Sequence, residues 1–374
     1  MRARAGRPRA RRAWPGRLGA LLLGLAALAV ALPAVFIGVR CARPGVEPPR
    51  RDPLVERTTS ALKNYTRGGA ATYLTVPEWY IVYSTEEYAR WLGAGPPSGF
   101  PYLRASRQYW EYYGAMCDAS RDVYPFDAGV HLMLGVIGVS FTGENLVKAG
   151  YENTVGRLTE WLGGHATAED DFARRTAAEY GRFMHGVPWY EFPFARKVGT
   201  LWRETPWWGP APVRKWERRL ALTAEYGIKA GYGWLIRQGT GAVYGAEDAS
   251  IHVWITGASA AALADTRVRK VADAPGGAIV LLPRYEAFTD AVSTLAGHGV
   301  RFRDVAGNDA IVLTALGRRG QVLPPDAGEV LLRAAIPSEP TVVRLVLRTP
   351  VTSLHASLAA LPRAGVRLEH VYDH

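Results

Sequence analysis

Cysteine is nearly absent from this chain, with two in 374 residues, and that scarcity excludes a disulfide framework. Cys41 follows an apolar run and Cys117 falls in a helical stretch, where an unpaired, inert thiol is expected. Several catalytic signatures are also lacking. The sequence has no Walker loop, dinucleotide fingerprint, paired-cysteine metal motif, zinc-protease motif or nucleophile elbow. The common enzyme classes that depend on those motifs lose their sequence support, and no cofactor or metal is expected. Lysine is scarce beside arginine, a bias that a GC-rich genome produces and that carries little chemistry. Tryptophan is missing after Trp254 although the chain holds 12.

The N-terminus carries the strongest local signal. Arg2, Arg4, Arg7, Arg9, Arg11, Arg12 and Arg17 precede an uncharged run from Leu18 to Val39. At ~1.5 Å per residue such a helix reaches roughly 33 Å, enough to cross a hydrocarbon core. The arginines favour an N-terminus held in the cytoplasm and a bulk of chain outside a bacterial inner membrane, a single-pass signal-anchor. Arg40, Arg43, Arg50 and Arg51 weaken that orientation without reversing it. Ala29-Val30-Ala31 resembles a signal-peptidase site, but the apolar run continues through Phe36 and Ile37, as in a retained anchor. The formal charge of +11 looks suited to nucleic acid until it is located. Most of the excess precedes the membrane helix, where anionic lipid explains it, so the bilayer is the expected partner and nucleic acid is not.

The organisation expected is α+β in five parts: a basic leader (1–17), the transmembrane helix (18–39), a proline- and arginine-rich linker (40–53), a mainly helical tryptophan- and tyrosine-rich domain (54–245) and an α/β domain (246–374). Helices are expected over Glu86–Leu92, Leu103–Asp118, Gly129–Leu162, Ala168–His185 and Val213–Ile236, the long one bending near Ser140–Gly143. The apolar stretch Val130–Val139 is short for a second span and reads as a buried soluble helix. Proline-aromatic loops are expected at Pro77–Tyr80, Pro188–Pro193 and Pro206–Pro210.

The C-terminal part carries an internal repeat at one constant offset. Ile279 and Leu281 match Leu345 and Leu347, while Phe288, Val292 and Leu295 match Leu354, Leu358 and Leu361. Gly299-Val300-Arg301 matches Gly365-Val366-Arg367, and Val305 matches Val371. Each unit reads strand, amphipathic helix, glycine turn, strand. Two such units imply one ferredoxin-like, split βαβ sandwich, with two helices on one sheet face and an added hairpin between the units.

Candidate chemistry is sparse. Glu78-Trp79-Tyr80, Tyr109-Trp110-Glu111-Tyr112-Tyr113 and Trp189-Tyr190-Glu191 each set an acid among rings, where a raised carboxyl could act as general acid. Glu78, Glu111 and Glu191 are thus the candidate acids. Trp79, Tyr80, Trp110, Trp189, Trp207 and Trp208 are the candidate ligand-stacking rings. Their competing role is to fill core. His131, Glu144, Glu152, Glu179 and His185 lack the tight spacing of bundle metal sites and are expected to be structural histidines and exposed glutamates. Glu369–His374 is expected to be a solvated chain end. Arg214, Lys215, Arg218 and Arg219, near Trp207 and Trp208, suit a helix resting on anionic headgroups.

Two functional classes follow. The first is a membrane-anchored extracytoplasmic accessory or binding protein. The alternative is an extracytoplasmic enzyme acting on lipid, cell wall or sugar in an aromatic cleft with a glutamate acid/base.

Overall fold

The computed structural model describes residues 14–240, 249–264 and 267–373. The arginines before residue 14, the domain boundary near residue 245 and His374 lie outside the described residues.

An apolar helix, α1 (Trp14–Arg40), runs through the predicted span and ends at Cys41. There the chain is fastened: Cys41 is disulfide-bonded to Cys117, and both are buried. The expectation of an unpaired Cys117 is corrected. Residues 76 apart in sequence are brought together because Phe36 and Ile37 of α1 pack into the aromatic helical core, against Trp110 and Tyr113. Arg40 forms an ion pair with Asp118 one residue beyond the bridge.

After a short helix α2 (Pro53–Thr59), capped by Asp52, the helical region comprises α3 (Ala71–Ala94), α4 (Tyr102–Ser120), α5 (Ala128–Tyr151), α6 (Arg157–Gly163), α7 (Ala168–Phe183), α8 (Phe194–Glu204) and α9 (Pro212–Thr240). Three local expectations change. Pro77 lies inside α3, so Pro77–Tyr80 is helical and not a loop. The long helix runs unbroken past Ser140–Gly143, and its interruption is a wide turn over Glu152–Gly156. Helix α8 has no counterpart among the expected helices.

Helix α5 also departs from the buried soluble helix expected. His131, Leu134, Gly135 and Gly138 turn inward, but Leu132, Met133, Val136, Leu146 and Val147 are exposed. By length and composition, Ala128–Gly163 could cross a membrane, and Ala27–Arg40 is a shorter apolar stretch within α1.

The C-terminal part builds two four-stranded antiparallel sheets where one was expected. The first contains β1 (Ser250–Thr256), β2 (Arg269–Ala274), β3 (Gly277–Pro283) and β4 (Arg301–Val305), in the order β2-β3-β1-β4. The second contains β5 (Ala310–Arg318), β6 (Glu329–Ile336), β7 (Glu339–Pro350) and β8 (Arg367–Val371), in the order β6-β7-β5-β8. The orders are the same, and the two strands expected to form an added hairpin, β5 and β6, belong to a complete second sheet. Helix α11 (Glu286–Gly297) and helix α12 (Leu354–Arg363) occupy equivalent positions, and each is followed by a glycine in the left-handed region, Gly299 and Gly365. The first unit also has a one-turn helix, α10 (Ala260–Leu263).

The ungapped repeat holds for the helices and for β4 and β8, where Val305 and Val371 pair with Val253 and Leu313, but it slips by one residue between β3 and β7. Val253 of β1 pairs with Val280 of β3, while Leu313 of β5 pairs with Leu347 of β7. Val280, not Leu281, therefore stands where Leu347 stands. One residue reverses a strand's faces. Ile279 accordingly packs outward with Trp254, Val55 and Tyr65, whereas Leu345 points into the core shared with α11 and α12.

That shared core joins the inner faces of both sheets, through Val253, Val280, Leu313 and Leu345, to Phe288, Val292, Leu354 and Leu361 of the two helices. The outer face of the second sheet, with Val312, Val346 and Tyr372, packs on Tyr83, Tyr112 and Tyr113 of the helical region. The chain end is thereby buried: His370, Tyr372 and Asp373 are inaccessible, contrary to a solvated tail. The reason is that β8 is an edge strand whose outer face meets α3, with Trp79 stacked on His370 at 3.8 Å.

Candidate functional site

The helical region is held by charge as well as by rings. Along α9, residues 214, 215, 218, 219, 222, 225, 226 and 229 form one face at helical spacing, and that face is turned inward. Arg214 bonds Asp170 at 3.0 Å, Lys215 bonds Glu169 at 2.8 Å, Arg218 bonds Glu152 at 2.8 Å, and Arg219 bonds Glu169 at 2.7 Å. Asp170 and Glu169 are placed by the α7 N-terminus, where Thr167 and Asp170 make a capping box. The expectation that Arg214, Lys215, Arg218 and Arg219 rest on lipid headgroups is thus corrected, because all four are buried in ion pairs. Glu152 is likewise buried and paired, against an expected exposed position.

Farther along the same face lies a cleft of about 70 Å³ between α3, α5, α7 and α9. Four charges of alternating sign line it. Lys148 lies 2.9 Å from Glu144 and 2.8 Å from Glu225, and Lys229 lies 2.9 Å from Glu144 and 3.2 Å from Glu225. Tyr88, Tyr102, Tyr180 and Tyr226 supply the walls, and the buried Asn145 Nδ2 has no hydrogen-bond partner. Each carboxylate already has two cationic neighbours, so neither is left poised as a proton donor. The arrangement suits binding of a small polar group better than proton transfer.

A second polar assembly sits where the helical region meets the second sheet. Arg344 of β7 is buried, bonds Glu369 through two nitrogens at 2.6 and 2.9 Å, bonds Glu87 of α3 at 3.0 Å, and lies over the Tyr83 ring at 4.3 Å. The two carboxylates raise the guanidinium's pKa against the opposing effect of burial, which is the larger single influence. Glu369 takes the paired contacts, and burial pushes the Glu87 carboxyl up despite Arg344. Nearby, His185 bonds Glu86 at 2.7 Å and approaches Glu286 of α11 at 3.4 Å. The hydrogen bond to Glu86 raises the imidazole's pKa, burial opposes it, and the charges of Glu86 and Glu286 add to the rise.

The residues singled out from sequence are scattered. Glu111 is exposed and paired with Arg107 at 2.7 Å, and Glu191 is exposed in a single turn over Trp189–Glu191. Glu78 is also accessible, yet the protein around it raises its carboxyl pKa, with Arg284 acting in the opposite sense. Trp79 and Tyr80 are core residues, the Tyr80 hydroxyl donating to the Ala105 carbonyl at 3.0 Å. Trp110 donates to Thr142 Oγ1 at 3.0 Å, and Trp189 lies half-buried against Tyr232. Trp208 is exposed, while Trp207 joins Trp202 and Trp216 around the Arg219 guanidinium. None of these acids or candidate rings lines the polar cleft.

Sequence reasoning missed the Glu144–Lys148–Glu225–Lys229 cluster as a unit, although both Glu-Lys pairs stand four residues apart in sequence. It missed Arg344 altogether, since a lone arginine in a strand gives no signal. The sulfurs of Cys41 and Cys117 lie with a His131 nitrogen inside 4.8 Å, a potential metal triad by distance. The disulfide removes both thiolates, and the Tyr113 hydroxyl lies 2.8 Å from His131 Nδ1. Neither family models, nor curated proteins, nor solved structures give a match to this chain.

Proposed function

We propose that the chain is a membrane-anchored extracytoplasmic binding or accessory protein, with α1 as its inner-membrane anchor and the bulk of the chain outside. The observation that carries this reading is the Cys41–Cys117 disulfide directly after the apolar helix. Disulfides persist on the oxidising side of a bacterial membrane and are rare in the cytosol. We read each four-stranded unit as a ferredoxin-like sandwich whose first crossover helix is reduced to a turn. Such units serve widely for docking, an analogy from architecture.

The enzyme reading is the weaker one. Glu111 and Glu191 lie on the surface, and the acids of the polar cleft are paired. Glu78, accessible and with a raised carboxyl, is the acid that keeps it open. Native mass spectrometry of the full chain, released gently from membranes, separates the two. A lipid or small-molecule adduct lost in Lys148→Met but kept in Glu78→Gln supports binding in the polar cleft. Turnover of a lipid or glycan that Glu78→Gln abolishes would establish the enzyme.

A further inference from the structure

Helices α5 and α9 are built inside out. Every charged residue of α9 from Arg214 to Lys229 faces the interior or lies half-buried, while Val213, Leu220, Ile228, Trp234 and Leu235 are exposed. Ile228 is 72% exposed and Leu220 58%. Apart from the buried His131, helix α5 has no acidic or basic residue before Glu144, and its exposed positions include Leu132, Val136 and Val147, the last 72% exposed. The pattern continues into α6, where Leu158, Trp161 and Leu162 are exposed beside a flanking Arg157. The other helices of the region are ordinary. Helix α7 exposes Asp171, Arg175 and Glu179, and α8 exposes Arg196, Arg203 and Glu204.

A water-facing helix puts charge outward and apolar groups inward. Helices in lipid do the reverse, and their ionisable groups pair within the bundle. The ion-pair ladder on the inner face of α9 follows that second rule, and on α5 the half-buried Lys148 holds Glu144, which is itself 41% exposed. The apolar surface is also continuous with the anchor. Ile37 of α1 packs directly over Gly135 of α5, where an added Cβ would lie 3.1 Å from its Cδ1. At the other end, Gly163 of α6 abuts Ala211 and Arg214 at the start of α9. At ~1.5 Å per residue, α5 and α9 reach roughly 36 and 43 Å, longer than the ~30 Å hydrocarbon layer. Trp161 and Trp234 suit the membrane–water boundary.

We infer that the outward faces of α5, α6 and α9 contact lipid acyl chains, so that the helical region is seated in the bilayer beside α1 instead of standing clear of it on a linker. The partner is the bilayer itself. This inference rests on the membrane-anchored reading for its neighbour, α1, and the two are separable by experiment.

The test uses the full chain with its disulfide intact, reconstituted into phosphatidylcholine–phosphatidylglycerol vesicles. An environment-sensitive fluorophore is attached at a single introduced cysteine: Val136→Cys, Val147→Cys, Leu220→Cys or Ile228→Cys on the proposed face, Val35→Cys on α1, and Val322→Cys on an exposed loop of the second sheet. The expected result is blue-shifted emission, quenched by brominated acyl chains, at the four facial positions and at Val35, with neither effect at Val322. Facial positions that behave like Val322 while Val35 is quenched would overturn the inference and leave the anchor standing. Unquenched Val35 with quenched facial positions would overturn the anchor alone. Protection of the facial positions in native membranes but not in lipid vesicles would assign the face to another protein and also overturn the inference.

Discussion

Arg344 is the residue on which the join between helices and second sheet depends most. It is buried with Glu87 and Glu369, and removing one member of such a set strands the others. Arg344→Met is expected to destabilise the fold by about 3–5 kcal/mol, the range for breaking a buried ion pair, read by urea unfolding of the detergent-solubilised chain. Glu87→Gln should cost far less, because the two-nitrogen contact to Glu369 survives and the Glu87 carboxyl is already pushed toward its neutral form. Equal losses in both variants would contradict this division.

His185 tests the same junction through pH. Its raised pKa means that the folded chain binds the proton more tightly than the unfolded chain. The stabilisation is therefore complete below the unfolded value of about 6.5 and is lost as pH rises through the folded value. The melting temperature of the wild type should fall relative to His185→Gln across that interval, and parallel curves would remove His185 from the account. Arg344 was not legible in the sequence, and His185 was read there only as a structural histidine. Arg344 and Glu87 are 257 positions apart, and only tertiary packing pairs them.

At the scale of the element, the disulfide fixes the end of α1 to α4. Closing a loop between residues separated by 76 positions limits the unfolded chain by on the order of 4 kcal/mol in the chain-entropy treatment. Cys41→Ser with Cys117→Ser is expected to lower the melting temperature, and reduction of the wild type should lower it similarly. A reductant effect absent from the wild type would show the bridge is not formed. The sequence could not reveal this pairing, because two cysteines carry no spacing pattern and the partner positions meet only in the tertiary fold, through Phe36, Ile37 and the Arg40–Asp118 ion pair. Helix positions were legible where a single apolar stripe existed, as in α11 and α12. Helix α9 shows the limit of that signal. Its stripe was visible, but which stripe faces inward is decided by partners on α5 and α7. Basic residues that looked suited to a lipid surface became the interior face, and the apolar residues became the outside. Among the strands, the repeat was placed correctly for β4 and β8 and misplaced by one position for β3 and β7, since periodicity of two cannot fix register across a loop of altered length.

For the whole molecule, the charge segregation gives a consistent picture. The proposed seating sets α1 and the outward faces of α5 and α9, with Trp161 and Trp234, against lipid. The charged faces of α7 and α8 and the two C-terminal sheets lie with water. Composition alone could suggest the anchor and the split between an aromatic helical part and an α/β part. It could not show that the two parts share a core, which runs through Tyr83, Tyr112, Val346 and Tyr372. That continuity makes the second sheet an extension of the helical region, and under the proposed function this sheet carries a binding surface outside the membrane.

The most direct test of that placement is labelling of Val322→Cys by a membrane-impermeant maleimide on intact spheroplasts of a bacterial expression host. Val322 is 86% exposed on the loop between β5 and β6, so its reactivity reports only which side of the membrane it occupies. Full labelling from outside is expected, with the protein remaining in the membrane pellet after an alkaline wash. Labelling that appears only after the membrane is permeabilised would contradict that placement.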